Sequence, residues 1–433
     1  MKNERGLKFE TLQVRAGYTA GKETHSPVTP IVMTTGYTFD SCKHGADLFA
    51  LKEFGNIYTR LQNPTTDIFE KRVAALEGGV AALATASGHS AQLITLTSLM
   101  TKGDNFVSSP YIYGGSYNQF SNSLRNLGLE CRFSNSLNLK DFETLIDHNT
   151  KALFVESIAN SNFSVPDIGG LADLAHRYGI PLIVDNTFGA AGYICRPFEH
   201  GADVIVESST KWIGGHSTSM GGVITDSGKF DWSNGKFPLL SEPSASYHGL
   251  KFTETFGPLA FIIRARVEGL RDLGACQSPF NSFMLLQGVE TLSLRVARQV
   301  ENTEALARYF AAHPNVESVN YTGFESNPWH ENAKKYLQNG FGMVFSVVLK
   351  GDKASSSKFV ESLDLVLHEA NVGDNRTMIV QPAATTHSQL SLQARREAGI
   401  EDTTIRISVG IEHIDDIIND FNAAFEAIKQ QCR

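Results

Sequence analysis

Ala202-Asp203-Val204-Ile205-Val206-Glu207-Ser208-Ser209-Thr210-Lys211-Trp212-Ile213-Gly214-Gly215-His216 is the stretch that decides the fold. Its first six residues are an apolar-acidic run with the composition of a buried strand. Three hydroxyl side chains follow, then a lysine, then a glycine-softened segment with little surface character. Desolvation at the end of a buried strand disfavours an ammonium ion, lowers its pKa and makes the neutral amine available as a nucleophile. Taken alone, Lys211 also fits a surface lysine beside a loop.

Upstream, the apolar run Ile180-Pro181-Leu182-Ile183-Val184 ends on Asp185. By itself Asp185 fits a helix cap or a strand-end acceptor. A partly buried carboxylate and a reactive lysine on neighbouring strand ends together match the two ends of pyridoxal 5′-phosphate. The acid suits the ring nitrogen, and the amine suits the aldehyde.

Further out, apolar runs at 81–86, 105–109, 152–156, 181–185, 203–207 and 221–225 alternate with helical stretches. One such stretch, 168–178, places Ile168, Leu171, Leu174, Ala175 and Tyr178 at helical spacing. Asn63-Pro64 is a capped helix start, and Gly78-Gly79 is its stop. The pattern predicts an α/β fold with a mostly parallel sheet covered on both faces, whose ligands sit at the carboxyl ends of the strands. Residues 280–310 form one long amphipathic pattern on Phe283, Leu286, Leu292, Val296 and Val300. Strand candidates at 342–349 and 404–409 follow. A closing helix then carries Ile414, Ile417, Phe421, Ala424 and Ile428 near 3.6 spacing. The expected division is an irregular arm over 1–60, a large cofactor-binding domain over 61–280 and a smaller α+β domain over 281–433.

Several residues can complete a phosphate-cofactor site. Ser87-Gly88-His89 follows a strand and opens a helix, whose free N–H groups suit an anion. Ser208 and Thr210 add hydroxyl donors, and Tyr58 and Arg60 can close the cage. Tyr113, in Tyr111-Ile112-Tyr113-Gly114-Gly115, fits either a ring stacked on a flat cofactor or a packed loop tyrosine. Arg406, inside Thr404-Ile405-Arg406-Ile407-Ser408-Val409, is a guanidinium in a buried strand and needs an anion. That anion is a core acid or a substrate carboxylate.

Bulk composition narrows the function. The chain has 433 residues, 42% hydrophobic and 19% charged, which is ordinary for a folded soluble protein. A net charge of −8 offers no general surface for nucleic acid, and the apolar runs are too short to span a bilayer. Cys42, Cys131, Cys195, Cys276 and Cys432 are scattered and odd in number, and Met1–Gly6 has no apolar core. Both features point to a reducing, cytoplasmic setting. No phosphate-loop, dinucleotide or zinc-helix motif occurs, and His216 and His387 stand singly, so no metal is expected.

The segments Tyr58-Thr59-Arg60-Leu61-Gln62-Asn63-Pro64-Thr65, Tyr111–Gly115, Val184-Asp185-Asn186-Thr187-Phe188, Ser208–Trp212 and Arg406-Ile407-Ser408-Val409-Gly410 carry a resemblance to the Cys/Met-metabolism family of pyridoxal-phosphate enzymes. It runs over nearly the whole chain. Arg264–Asp272 and the stretch 228–280 make the chain most similar to the O-acetylhomoserine sulfhydrylase branch. The resemblance implies a fold-type-I, aspartate-aminotransferase-like architecture and a homotetramer of two dimers. It implies that Tyr58 and Arg60 reach the phosphate of a neighbouring subunit, and that Thr187 belongs to the cofactor site. It places Asn160, Asn371, Tyr58 and Arg406 on the substrate, with Lys211, Tyr113 and Asp185 as the catalytic set. The implied reaction is γ-substitution of O-acetyl-L-homoserine by sulfide or a small thiol. Ser161, Glu369, Gln381 and the 217–220 loop depart from the common pattern, and the last three are expected near the nucleophile channel. The rivals are a carbon or nitrogen nucleophile at Cγ, γ-elimination of methionine or cystathionine, and a relative without activity, against which the intact Lys211, Asp185 and Arg406 argue.

Overall fold

Seven strands assemble around the run that ends at Lys211: β1 (Ala81–Thr85), β2 (Asn105–Ser108), β3 (Glu130–Phe133), β4 (Thr150–Glu156), β5 (Leu182–Asp185), β6 (Val204–Glu207) and β7 (Gly222–Asp226). The computed structural model describes residues 6–21, 25–385 and 400–431, without the side chains of 430 and 431; His387 and Cys432 lie outside the described residues. The sheet order is β1-β7-β6-β5-β4-β2-β3. Strands β3, β2, β4, β5 and β6 run parallel, whereas β7 pairs antiparallel with both β1 and β6. An apolar run carries no sign of its direction, so the expected parallel alignment fails at this strand. The strand β3 is partly exposed along its length and leaves no apolar signature in the sequence.

Helices cover both faces. α1 (Pro64–Glu77) starts where Asn63 accepts the N–H of Thr65 and ends at Gly78 in the left-handed conformation. α2 (Gly88–Leu99) and α3 (Ile168–Arg177) follow their strands as crossover logic requires. One apolar cluster joins Phe69, Val73 and Leu171 to Leu182 and Val184; another joins Ile94 and Leu96 to Ile183, Val206 and Phe261. Full burial of such side chains contributes roughly 1.5–3 kcal/mol each.

The expected single helix over 280–310 is two helices, α4 (Pro279–Val289) and α5 (Leu292–Ala312), separated at Glu290-Thr291. A second sheet follows, built of β8 (Val316–Asn320), β9 (Val344–Leu349), β10 (Leu367–His368), β11 (Met378–Val380) and β12 (Thr404–Ser408), in the order β10-β11-β12-β9-β8. It is mostly antiparallel and packs with α5 and α6 (Ile414–Gln431) around Phe310, Phe345, Ile407 and Phe421. The N-terminal arm is not wholly irregular. It holds short helices at Phe9–Arg15 and Cys42–Phe49, and Gln13 bonds Ser293 at the start of α5. No helix among the described residues is long and apolar enough to cross a membrane. The four described cysteines are free.

Candidate active site

Sheet register sets the floor of the site. Asp185 is the last residue of β5, beside Glu156 of β4 and Val206 of β6. Its Oδ1 accepts the Thr187 backbone N–H (3.0 Å) and hydroxyl (2.6 Å), and its Oδ2 accepts Gln92 Nε2 (3.0 Å). Burial nevertheless raises its pKa above the ordinary aspartate value. Lys211 lies in the turn after β6, not on the strand itself, and opens into the same cleft. Burial, with Arg406 nearby, lowers its pKa to about 8, against a small opposing pull from Glu369. Its Nζ donates to Asn371 Oδ1.

Arg406 enters the cleft from β12 of the second sheet. It is 5% exposed and makes no ion pair among the described residues. Its Nη1 donates to Asn160 Oδ1 (3.0 Å) and its Nη2 to the Asn371 carbonyl (3.5 Å). Burial lowers its pKa to about 10. Among the described residues no core acid pairs with Arg406, which leaves the guanidinium its capacity for an anion from solution.

Between the floor and this clamp sits Glu156, which sequence inspection missed. One of its oxygens accepts the backbone N–H of Tyr113 (2.6 Å), the other that of Asn160 (2.7 Å). Burial and the adjacent Asp185 push it up to about 8. Glutamine at 156 would keep one acceptor and turn an NH₂ donor towards the other N–H. A buried donor left unmatched costs about 1–3 kcal/mol. Glu156→Gln is expected to raise the amino-acid KM roughly tenfold in steady-state kinetics; an unchanged KM would refute the bracing role.

Ser87, Gly88, His89, Tyr113, Thr187, Ser208 and Thr210 all line the cleft with Asp185, Lys211, Asn160, Asn371 and Arg406. The Ser87 hydroxyl caps α2 by accepting the Ser90 N–H, so its contribution is to orient the helix start. A Cβ on Gly88 would stand 2.9 Å from Ser208 Cβ, which keeps the helix start against the Ser208 turn. Thr210 exchanges hydrogen bonds with Gly221. The Tyr113 ring meets His89 edge-on at 5.8 Å. Tyr58 and Arg60 do not line the cleft of their own chain. Tyr58 is 43% exposed, and Arg60 donates to the Arg271 carbonyl while lying over the Tyr58 ring. Gln381 is also not at the cleft; it bonds Ser356 and Ser357 beside the second sheet. Met220 does line it, and Glu369 is felt at Lys211.

The family model for Cys/Met metabolism PLP-dependent enzymes matches residues 10–426. The chain belongs to that family. It is 54% identical to a sulfhydrylase of Fusarium oxysporum, over 96% of this chain and 97% of that protein. It is 52% identical to a homocysteine synthase of Schizosaccharomyces pombe, over 96% and 98%. Among solved structures, a Campylobacter jejuni protein described as an O-acetylhomoserine (thiol)-lyase and carrying N′-pyridoxyl-lysine-5′-monophosphate superposes with a TM-score of 0.93 at 37% identity, covering 97% of this chain and all of that one. This chain is thus a pyridoxal-phosphate enzyme of fold type I with a separate C-terminal sheet domain. The residues present fit the cofactor: a desolvated amine, an acid whose pKa is raised by burial, and a glycine-tight helix start share one cleft.

Proposed function

We propose that the protein is a γ-substituting transferase that takes O-acetyl-L-homoserine, releases acetate and joins sulfide or a small thiol to Cγ. The observation that carries this is the buried Arg406 guanidinium, without an ion pair among the described residues, in the same cleft as the desolvated Lys211 amine. It calls for an amino acid whose carboxylate lies at one side while its α-amine meets the cofactor. The sulfhydrylase, homocysteine synthase and O-acetylhomoserine (thiol)-lyase names of the relatives support the leaving group and acceptor.

Bound pyridoxal phosphate supplies an electron sink for charge developing on the substrate carbons. Asp185, fixed by Thr187 and Gln92, holds a proton on the ring nitrogen. Lys211 Nζ would hold the cofactor's aldehyde carbon and would move protons at the substrate's Cα and Cβ, with Asn371 steering it. Arg406 and Asn160 hold the α-carboxylate. Tyr113, which lines the cleft, would pack against the cofactor ring. Ser208, Thr210 and the α2 start after Ser87-Gly88-His89 receive the phosphate, and Tyr58 and Arg60 of a neighbouring copy complete that cradle in a homotetramer. The large cofactor domain spans 61–280, the smaller domain 281–433, and the enzyme works in the cytoplasm.

The test is a panel of O-acetyl-L-homoserine with sulfide, a thiol, an enolisable ketone, or no acceptor, read by acetate release and product mass. Sulfide-dependent acetate release with a homocysteine mass is the expected result. Turnover only with the carbon nucleophile would overturn it, as would, in a parallel incubation with methionine or cystathionine and no acceptor, faster release of a 2-oxo acid and ammonia.

A further inference from the structure

Helix α5 carries three buried polar residues on one face. Arg295, Gln299 and Asn302 are spaced four and three apart and are 5%, 0% and 1% exposed. Apolar residues would fill such a stripe at no desolvation cost. The same helix continues with Leu306 and Phe310 in the core of the second sheet. Each polar side chain instead donates to carbonyls of irregular backbone, where buried acceptors need side-chain partners.

The acceptors are not scattered. Arg295 Nη2 donates to the carbonyls of Trp212 (2.9 Å) and Ile213 (3.4 Å), the two residues after Lys211, and to Gly288 at the end of α4 (2.8 Å). Gln299 Nε2 donates to the carbonyl of Asp374 (2.7 Å), in the loop that carries Asn371. Asn302 Nδ2 donates to the carbonyls of Gly410 (3.0 Å) and Glu412 (2.8 Å), just past the strand that carries Arg406.

The fit is close enough that side chains have been excluded around it. A Cβ on Gly215 would lie 1.9 Å from Arg295 Nη1, and one on Gly288 would lie 2.3 Å from the Gly214 carbonyl oxygen. Gly373 has φ +81°, and a Cβ there would stand 2.8 Å from the Trp212 nitrogen and 3.0 Å from Lys211 Cβ. Burial lowers the pKa of Arg295 to about 10, with Asp374 the charge that opposes the shift.

We propose that Arg295, Gln299 and Asn302 are positioning residues that fix the Lys211 turn, the Asn371 loop and the Arg406 strand against one helix. The stripe thereby sets the distance between the amine that takes the cofactor and the guanidinium that takes the substrate carboxylate. That helix packs in the first apolar cluster through Leu292 and Val296 and in the second sheet's core through Leu306 and Phe310, so it touches both halves of the site. The inference rests on the roles given above to Lys211 and Arg406.

The stripe has a polarity along the helix that a purely structural role lacks. Its Arg295 end governs the lysine, and its Asn302 end governs the carboxylate clamp. Three full-length proteins separate these: Arg295→Met, Arg295→Lys and Asn302→Ala. The first readout is the rate at which cofactor-free protein takes pyridoxal phosphate into a borohydride-fixable linkage at Lys211, located by mass spectrometry. The second is the KM for the amino-acid substrate against kcat. Losing a hydrogen bond that orients a reacting group corresponds to roughly a fivefold to tenfold change. Arg295→Met should slow capture by about that factor, Arg295→Lys should recover part of it, and Asn302→Ala should raise KM with capture unchanged. Gln299→Met, which replaces the middle residue by an apolar one of similar length, keeps the test open if Arg295→Met fails to fold, and should alter both readouts.

The inference is overturned if Arg295→Met and Asn302→Ala move the same parameter, or if they lower the melting temperature with capture rate and KM unchanged. Failure of the underlying roles looks different: the unsubstituted protein would then form its linkage at another lysine, or at none.

Discussion

Lys211→Ala is expected to abolish turnover to below about one part in 10³, since positioned acid–base transfer alone contributes roughly 10²–10⁴. Mass spectrometry after borohydride treatment should find no linkage in this variant, whereas the unsubstituted protein should carry it at Lys211. The pH dependence has a definite sign. Burial lowers the lysine to about 8, so the neutral amine predominates above that value and the ammonium ion below it. Only the neutral form attacks an aldehyde. The rate of pyridoxal phosphate capture by cofactor-free protein should therefore rise with pH through about 8 and then level off. An ordinary exposed lysine would keep rising to much higher pH. A midpoint near the ordinary lysine value, or a Lys211→Ala protein that still captures cofactor at one site, would disprove the assignment.

Why the lysine and Asp185 were legible in the sequence while Glu156 was not has a physical answer. Asp185 ends an apolar run and Lys211 closes the short hydroxyl turn after another, and a charged group so near a buried strand stands out against its own neighbours. Ser87-Gly88 was legible for the same reason, because a strand, a cap and a helix follow one another without a gap. Glu156 also ends an apolar strand, but its meaning lies in partners 43 and 4 positions away, the first of which follows β2 and is brought near by the pairing of β2 with β4. The polar stripe on α5 was hidden more deeply. Arg295, Gln299 and Asn302 look like the solvated face of an amphipathic helix, and nothing local says that this helix is enclosed on that side. The break at Glu290-Thr291 escaped notice because the apolar spacing runs on through it with no proline and no terminal glycine. Gln381 was placed at the channel by resemblance, whereas its amide is satisfied by Ser356 and Ser357. Tyr58 and Arg60 belong to a different category: they lie outside the cleft lining of their own chain, and the role proposed for them involves a second copy.

Arg406→Leu is expected to separate function from stability. The guanidinium is 5% exposed with no acid paired to it among the described residues, and burial holds its pKa near 10. That depression corresponds to roughly 3 kcal/mol against the charged form. A leucine removes this burden and fills apolar volume, while stranding the Asn160 Oδ1 that had accepted Arg406 Nη1, at about 1 kcal/mol. Replacing buried charges by apolar side chains is commonly neutral or stabilising. The melting temperature of Arg406→Leu should thus equal or exceed that of the unsubstituted enzyme in calorimetry. Its amino-acid KM should meanwhile rise by about 10² or more, because a desolvated, charge-assisted contact to the carboxylate is worth roughly 2–5 kcal/mol. The KM for the acceptor should stay near its original value, since the acceptor carries no α-carboxylate to lose. Had Arg406 been a packing residue paired within the core, its removal would cost stability first and substrate affinity little. A lowered melting temperature with an unchanged KM would establish that role and leave the substrate carboxylate without its partner.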